Sequence, residues 1–154
     1  MAGENRNPPH RVLVDTNIVV IAYSVATSAE SQVLRYLGLH RNATALLLSD
    51  ELQSQILRVA KRIRDKDWAG LLLSYLWNDL QVEYVVLENA ESVAETYQER
   101  IPRKDLLVFL TAMIGRADCF ISRNRQLLRA ALGQDPPFEC LTPEEFLAKF
   151  ASEE

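Results

Sequence analysis

Apolar residues along the chain fall into two alternating patterns. Short continuous runs occupy residues 11–14, 43–48, 82–87, 119–122 and 138–141. Runs this short, bounded by polar turns, predict strands buried on both faces, as in a parallel sheet. Between them, apolar positions recur every three or four residues. Leu52, Ile56, Val59, Ala60 and Ile63 share one helical face over residues 50–64, behind a Ser49 cap. Comparable stretches predict helices from about Ile18, Ser28, Asp67, Ala90, Lys104 and Arg125, with Gly115 and Gly133 as stops. Thr142-Pro143-Glu144-Glu145 spells a capping box with proline at the first helical position, opening a last helix to Phe150. Strands separated by helices predict an α/β fold with a central parallel sheet of about five strands, covered on both faces. Trp68, Tyr75 and Trp77 are expected in the core.

The chain has 154 residues, enough for one domain with a proper core. Residues 1–10 are polar and carry two prolines, and are expected to form a loose tail before a single domain over 11–151. They lack the apolar stretch of a signal peptide, and no apolar run approaches the ~20 residues of a membrane span, so a cytoplasmic protein is expected. Two cysteines, Cys119 and Cys140, sit far apart in likely strand positions and are expected as buried thiols. With only His10 and His40 beside them, no zinc site is spelled out.

The candidate chemistry begins at Val12-Leu13-Val14-Asp15-Thr16-Asn17. In open α/β sheets, ligands bind past the carboxyl ends of the strands, where Asp15 would stand. Asp15 is equally suited to cap the next helix. Glu51, Asp105 and Asp118 are the other acids of interest, and each also reads as a cap, a turn residue or a solvated charge. No glycine-rich loop follows the first strand, which argues against a dinucleotide site. The net charge of −4 does not favour nucleic acid, so local charge must make that case. Arg100, Arg103 and Lys104 flank Asp105, and Arg123 and Arg125 flank Asn124. They read either as a phosphate-binding collar or as a solvated rim. Arg58, Lys61, Arg62, Arg64 and Lys66 read as a solvated helix face. Such clusters in an acidic chain predict a polarised surface, with Glu88, Glu91, Glu95, Glu144, Glu153 and Glu154 elsewhere.

The chain resembles the PIN-domain family, in particular the branch of toxin components of toxin-antitoxin systems. The pieces occur in the family's order from Arg11 onward. They are the Asp15 strand end, the helix after Leu48-Ser49-Asp50-Glu51-Leu52, the stretch Arg100 to Ala112, Ala117 to Leu128, and Leu141-Thr142-Pro143-Glu144-Glu145-Phe146-Leu147. The resemblance implies a three-layer α/β/α sandwich with about four carboxylates at the carboxyl edge of the sheet. These would hold Mg2+ or Mn2+ to cut RNA, since hard cations favour oxygen ligands. It also implies an RNA substrate, an antitoxin protein partner and a homodimer. Asp15 matches the first family acid and Asp105 the third. Gln55 stands at the second and Asn124 at the fourth, within Ser122-Arg123-Asn124 where the family has "TGD". Asp118 matches a secondary or structural aspartate.

Two amides change the electrostatics. Four carboxylates could balance two divalent ions; two balance one. At an effective dielectric of ~20, each charge missing at ~4 Å removes several kcal/mol of attraction to such an ion. The expectation is at most one weakly held ion, with Asp15 and Asp105 as ligands and Gln55 and Asn124 as neutral ones. Two functions follow: a weakened metal-dependent endoribonuclease, or a non-catalytic PIN-like module that binds RNA or a protein partner.

Overall fold

The computed structural model describes residues 7–88 and 91–151. It holds a five-stranded, all-parallel sheet in the order β3-β2-β1-β4-β5. The strands are β1 Arg11–Val14, β2 Ala45–Ser49, β3 Val82–Val85, β4 Cys119–Ile121 and β5 Glu139–Leu141. Eight α-helices among the described residues flank the sheet to make an α/β sandwich. They are α1 Thr16–Ser24, α2 Ala29–Leu39, α3 Asp50–Ile63, α4 Lys66–Asp79, α5 Glu91–Tyr97, α6 Leu106–Ile114, α7 Arg125–Leu132 and α8 Pro143–Phe150.

The three central strands are almost wholly buried, which is why they read as unbroken apolar runs. Leu13, Leu47 and Phe120 have no exposed surface, and Phe109 and Phe146 fill the layers beside them. Burying each such side chain is worth about 1.5–3 kcal/mol. Chain order runs outward from β1 to β2 and β3, then returns to β4 on the other side of β1. The reversal lies between β1 and β4, so the crevice at their carboxyl ends is where this class of sheet binds ligands.

Several expected boundaries shift for local reasons. Residues 43 and 44 belong to a turn, their N–H groups bonded to the His40 carbonyl, so β2 starts two residues late. β3 ends at Val85, the last residue that Ser49 pairs with. The stretch after Pro102 opens with a 3-10 turn, Arg103–Asp105, before α6 begins. α4 starts one residue early because Asp65 caps it, accepting from the Trp68 N–H at 2.7 Å. The expected start of α5 at Ala90 lies outside the described residues. So do residues 1–6 of the expected tail; Pro9 is buried, and the His10 carbonyl accepts from Ala45 N–H at 2.8 Å.

Two aromatic residues, Tyr75 and Trp77, and one thiol depart from expectation, while Trp68 packs against the core. α4 turns Ala69, Leu72 and Leu76 inward. Tyr75 and Trp77 fall on its flank, 45% and 42% exposed, and Trp68 is half-buried. Cys119 is buried but Cys140 is only half-buried on the edge strand. Both thiols are free. Cys119 lies opposite Glu139 and Cys140 opposite Phe120. That one-residue offset puts the two sulfurs on opposite faces of the sheet. Burial holds the Cys119 thiol well above its ordinary pKa and pushes the Cys140 thiol up to about 11. Among the described residues, no helix is long and apolar enough to cross a membrane.

Gly115 ends α6 in ordinary right-handed geometry, so backbone freedom does not explain it. Space does: an added Cβ would stand 2.8 Å from Leu47 Cδ1, Val85 Cγ2 and the Thr111 carbonyl oxygen. Gly115→Ala is therefore expected to lower stability by about 1–3 kcal/mol through overpacking. Urea denaturation would read this as a reduced midpoint with an unchanged slope. A neutral result would mean that α6 can move off the sheet without cost.

Candidate acidic site at the carboxyl edge of the sheet

Asp15 directly follows β1 and takes the N-cap position of α1, its Oδ1 accepting from Thr16 N–H at 2.8 Å. Its other oxygen accepts from the Ser122 hydroxyl at 2.7 Å. Ser122 directly follows β4 and is fully buried. The same hydroxyl oxygen accepts from Asn124 N–H at 3.0 Å. One buried hydroxyl thus ties the end of β1 to the loop after β4. The cap reading and the crevice reading of Asp15 both describe its position.

Asn124 caps α7, its Oδ1 accepting from Leu127 N–H at 3.1 Å. This bond settles which way the amide faces, because a backbone N–H needs the carbonyl oxygen. The amide nitrogen is left pointing at Asp105 and donates to its Oδ2 at 3.4 Å. Asp105 closes the 3-10 turn and is 8% exposed. Gln55 lies on α3, and its Oε1 accepts from the Thr16 hydroxyl at 3.1 Å. The structure therefore links Asp15, Asp105, Asn124 and Gln55 through Thr16 and Ser122.

Burial raises the pKa of Asp15, against the Ser122 and Thr16 hydrogen bonds. Burial also raises Asp105, with the Asp15 charge adding to it and Lys104 and Asn124 opposing. The two carboxylates are near enough to feel each other, and both carry an electrostatic cost. They offer a divalent ion two charged oxygen donors. Each amide oxygen accepts one hydrogen bond, Gln55 Oε1 from the Thr16 hydroxyl and Asn124 Oδ1 from the Leu127 N–H, and keeps one lone pair as a neutral donor. Among the described residues, no three acidic, histidine or cysteine side chains gather as a metal cluster. Two carboxylates match the charge of one divalent ion and not of two.

Arg123 forms ion pairs with Glu30 of α2 and Glu144 of α8. It donates to Glu144 Oε1 at 3.0 Å and to Glu30 Oε1 at 3.3 Å. Glu144 thus belongs beside the site, contrary to its expected place on a distant acidic surface. Glu153 and Glu154 lie outside the described residues. The paired carboxylates raise the Arg123 pKa, and Arg123 lowers that of Glu144. Glu30 is only 3% exposed. With Asp15, Asn17, Ile18, Ile21, Arg123 and Asn124 it lines a cleft of about 300 Å3. Sequence reasoning missed Glu30, which resembles any acid in a first helical turn, and missed Ser122, whose only signal was its place after an apolar triplet.

Of the other expected basic residues, Arg103, Lys104 and Arg125 are exposed. Arg100 donates to the Gln134 side chain at 3.3 Å. Glu51 lines a separate cleft with Asp50, Tyr84 and Glu88. Asp118 stands at the opposite edge of the sheet, where it accepts from Arg11 N–H at 2.9 Å. A larger cleft, about 360 Å3, opens between α1 and α2, but its one carboxylate, Asp79, accepts from Tyr23.

No family model matches the chain, and no curated relative matches it. Solved structures do resemble it. One is a chain in the crystal structure of VapBC2 from Rickettsia felis bound to a DNA fragment from its promoter. It is 16% identical with a TM-score of 0.61, over 86% of this chain and 98% of that one. Another is PAE2754 from Pyrobaculum aerophilum, 19% identical with a TM-score of 0.58, over 93% and 90%. At such identities the likeness establishes the fold.

The raised pKa of Asp105 makes a signed prediction in metal-free buffer. Between its ordinary 3.8 and its raised folded value, the folded state holds more protons than the unfolded one. Stability therefore falls as pH rises through that window. Asp105→Asn is expected to be more stable than the parent at neutral pH. Its advantage should shrink on acidification and vanish below about 3.8. Chemical denaturation across pH in EDTA measures it; an Asn variant that is less stable at neutral pH would contradict the assigned burial cost.

Proposed function

The chain has a PIN-like fold, and on that premise we propose an RNA-directed module whose acidic centre holds at most one divalent ion and cuts RNA weakly. The observation that carries this reading is the donor set: Asp105 feels the charge of Asp15 and accepts an amide N–H from Asn124. Asp15 and Asp105 would hold the ion. When bound, a divalent ion supplies a Lewis acid for phosphodiester hydrolysis. Ser122 fixes the Asp15 carboxylate by donating to it. Asn124 and Lys104 offset part of the Asp105 charge. Arg103 and Lys104, exposed beside Asp105, would meet the phosphates of the substrate.

A second reading, a module that binds RNA or a protein partner without cutting, is favoured by Arg123. Its guanidinium lines the same cleft as Asp15. Held by Glu30 and Glu144, it brings a cation of the chain's own to that cleft. An antitoxin-like protein partner is supported by the likeness to VapBC2 alone.

Restoring the two charges separates the readings. Gln55→Glu keeps the acceptor for the Thr16 hydroxyl, and Asn124→Asp keeps the α7 cap, so the double variant should fold. Without metal it should melt lower than the parent, because four neighbouring carboxylates repel. With Mn2+ it should regain more than it lost. Ligand at 100 times its Kd adds about 2.7 kcal/mol, roughly 5–10 °C at this chain length. The parent should shift less and cleave single-stranded RNA more slowly than the variant. A parent that shows no Mn2+ shift and no cleavage, beside a variant that shows both, would establish the non-catalytic reading. No response from either protein would mean these positions do not form one site.

A further inference from the structure

The five cations Arg58, Lys61, Arg62, Arg64 and Lys66 have no role in the acidic site. They crowd into nine residues that contain one acid, Asp65, whose side chain is engaged in capping α4. That segment carries a net charge of +4 in a chain of net charge −4. All five are exposed, and none forms an ion pair among the described residues. Arg11 and Arg123, by contrast, are held in ion pairs, with Glu83 and with two glutamates. Here a dense cluster is left open to solvent.

Their placement on α3 is directional. Leu52, Ile56 and Ala60 are the buried positions of that helix. Arg58, Lys61 and Arg62 lie on the opposite arc, at 100° per residue. Gln55, whose side chain meets Thr16 in the acidic site, leads into that arc. Gln55, Arg58 and Arg62 are spaced three and four residues apart, so they form one stripe. The stripe runs about 10 Å from Gln55 to Arg62 at 1.5 Å per residue. Beyond it, the α3–α4 turn adds Arg64 and Lys66. Arg64 is held in place over the Trp68 ring, 5.0 Å from its centroid.

We propose that this stripe, the adjacent Lys61 and the turn form a phosphate track that leads single-stranded RNA toward Gln55, where α3 meets the acidic site. The proposal rests on the RNA-directed reading above. Unpaired cations one helical turn apart suit a flexible polyanion that can follow them, as a single strand can. The track attracts RNA without reading its sequence, because phosphate contacts carry no base information.

Fluorescence anisotropy with a labelled single-stranded RNA, in EDTA and across a salt series, tests this. Each phosphate contact contributes about 0.7 to the slope of log K against log salt for a single strand. The variant R58A/K61A/R62A should bind more weakly, with a slope shallower by about 2. K61A/R62A should lose about 1.4, and serves if the triple variant fails to fold. R58K/R62K, which keeps the charge, should retain the parental slope. Parental slopes in both alanine variants would overturn the track while leaving RNA binding intact. Absence of any salt-dependent RNA binding by the parent protein would instead remove the RNA-directed reading, and the track with it. Binding to phosphatidylserine vesicles but not to RNA, lost in the alanine variants, would also overturn the proposal.

Discussion

The parallel pairing of β1 with β4 is the constraint on which the rest of this molecule depends. Val12, Leu13 and Val14 lie against Cys119, Phe120 and Ile121, joining segments more than a hundred residues apart in the chain. Both strands then end at one edge, so Asp15 and Ser122 leave the sheet side by side. The Ser122 hydroxyl closes the junction by donating to Asp15 and accepting from Asn124. Each later feature of the site follows from that junction. Asn124 can cap α7 and still reach Asp105 because Ser122 holds the start of the loop.

The electrostatics of the edge are a balance between burial and local donors. Burial raises both aspartates and the Asp15 charge raises Asp105 further, while a hydroxyl, a backbone N–H, an amide and Lys104 offset part of that cost. A carboxylate at position 124 would cap α7 equally well, but would turn a donor at Asp105 into a third charge. The amide therefore preserves the fold and reduces the demand for a cation. Arg123 acts in the same direction at the neighbouring cleft, bridging α2 and α8 through Glu30 and Glu144.

Charge is distributed unevenly over the surface. Arg123 is consumed by ion pairs, whereas the cations of α3 are not. An acidic chain that concentrates unpaired cations on one helix directs its long-range field at one approach, even though its net charge repels polyanions. The same helix carries Gln55 to its contact with Thr16.

Much of this was legible in the residues. Unbroken apolar runs marked β1, β2 and β4 because both faces of those strands are covered. The capping box at Thr142 marked α8 because capping is a local interaction. The edge strands were read less well: β3 was expected two residues too long, since its end is set by pairing with Ser49 and not by its own composition. The acids Asp15 and Asp105 and the amides Gln55 and Asn124 could be singled out by family resemblance. The sequence could not show that Asn124 points its nitrogen at Asp105, that Glu30 is buried against Arg123, or that Tyr75 and Trp77 remain exposed. Periodicity and capping depend on neighbours within a few residues, so the chain determined them by itself. Amide orientation, burial of a charge and ion pairing depend on groups brought together across the fold, and only the tertiary structure decided them.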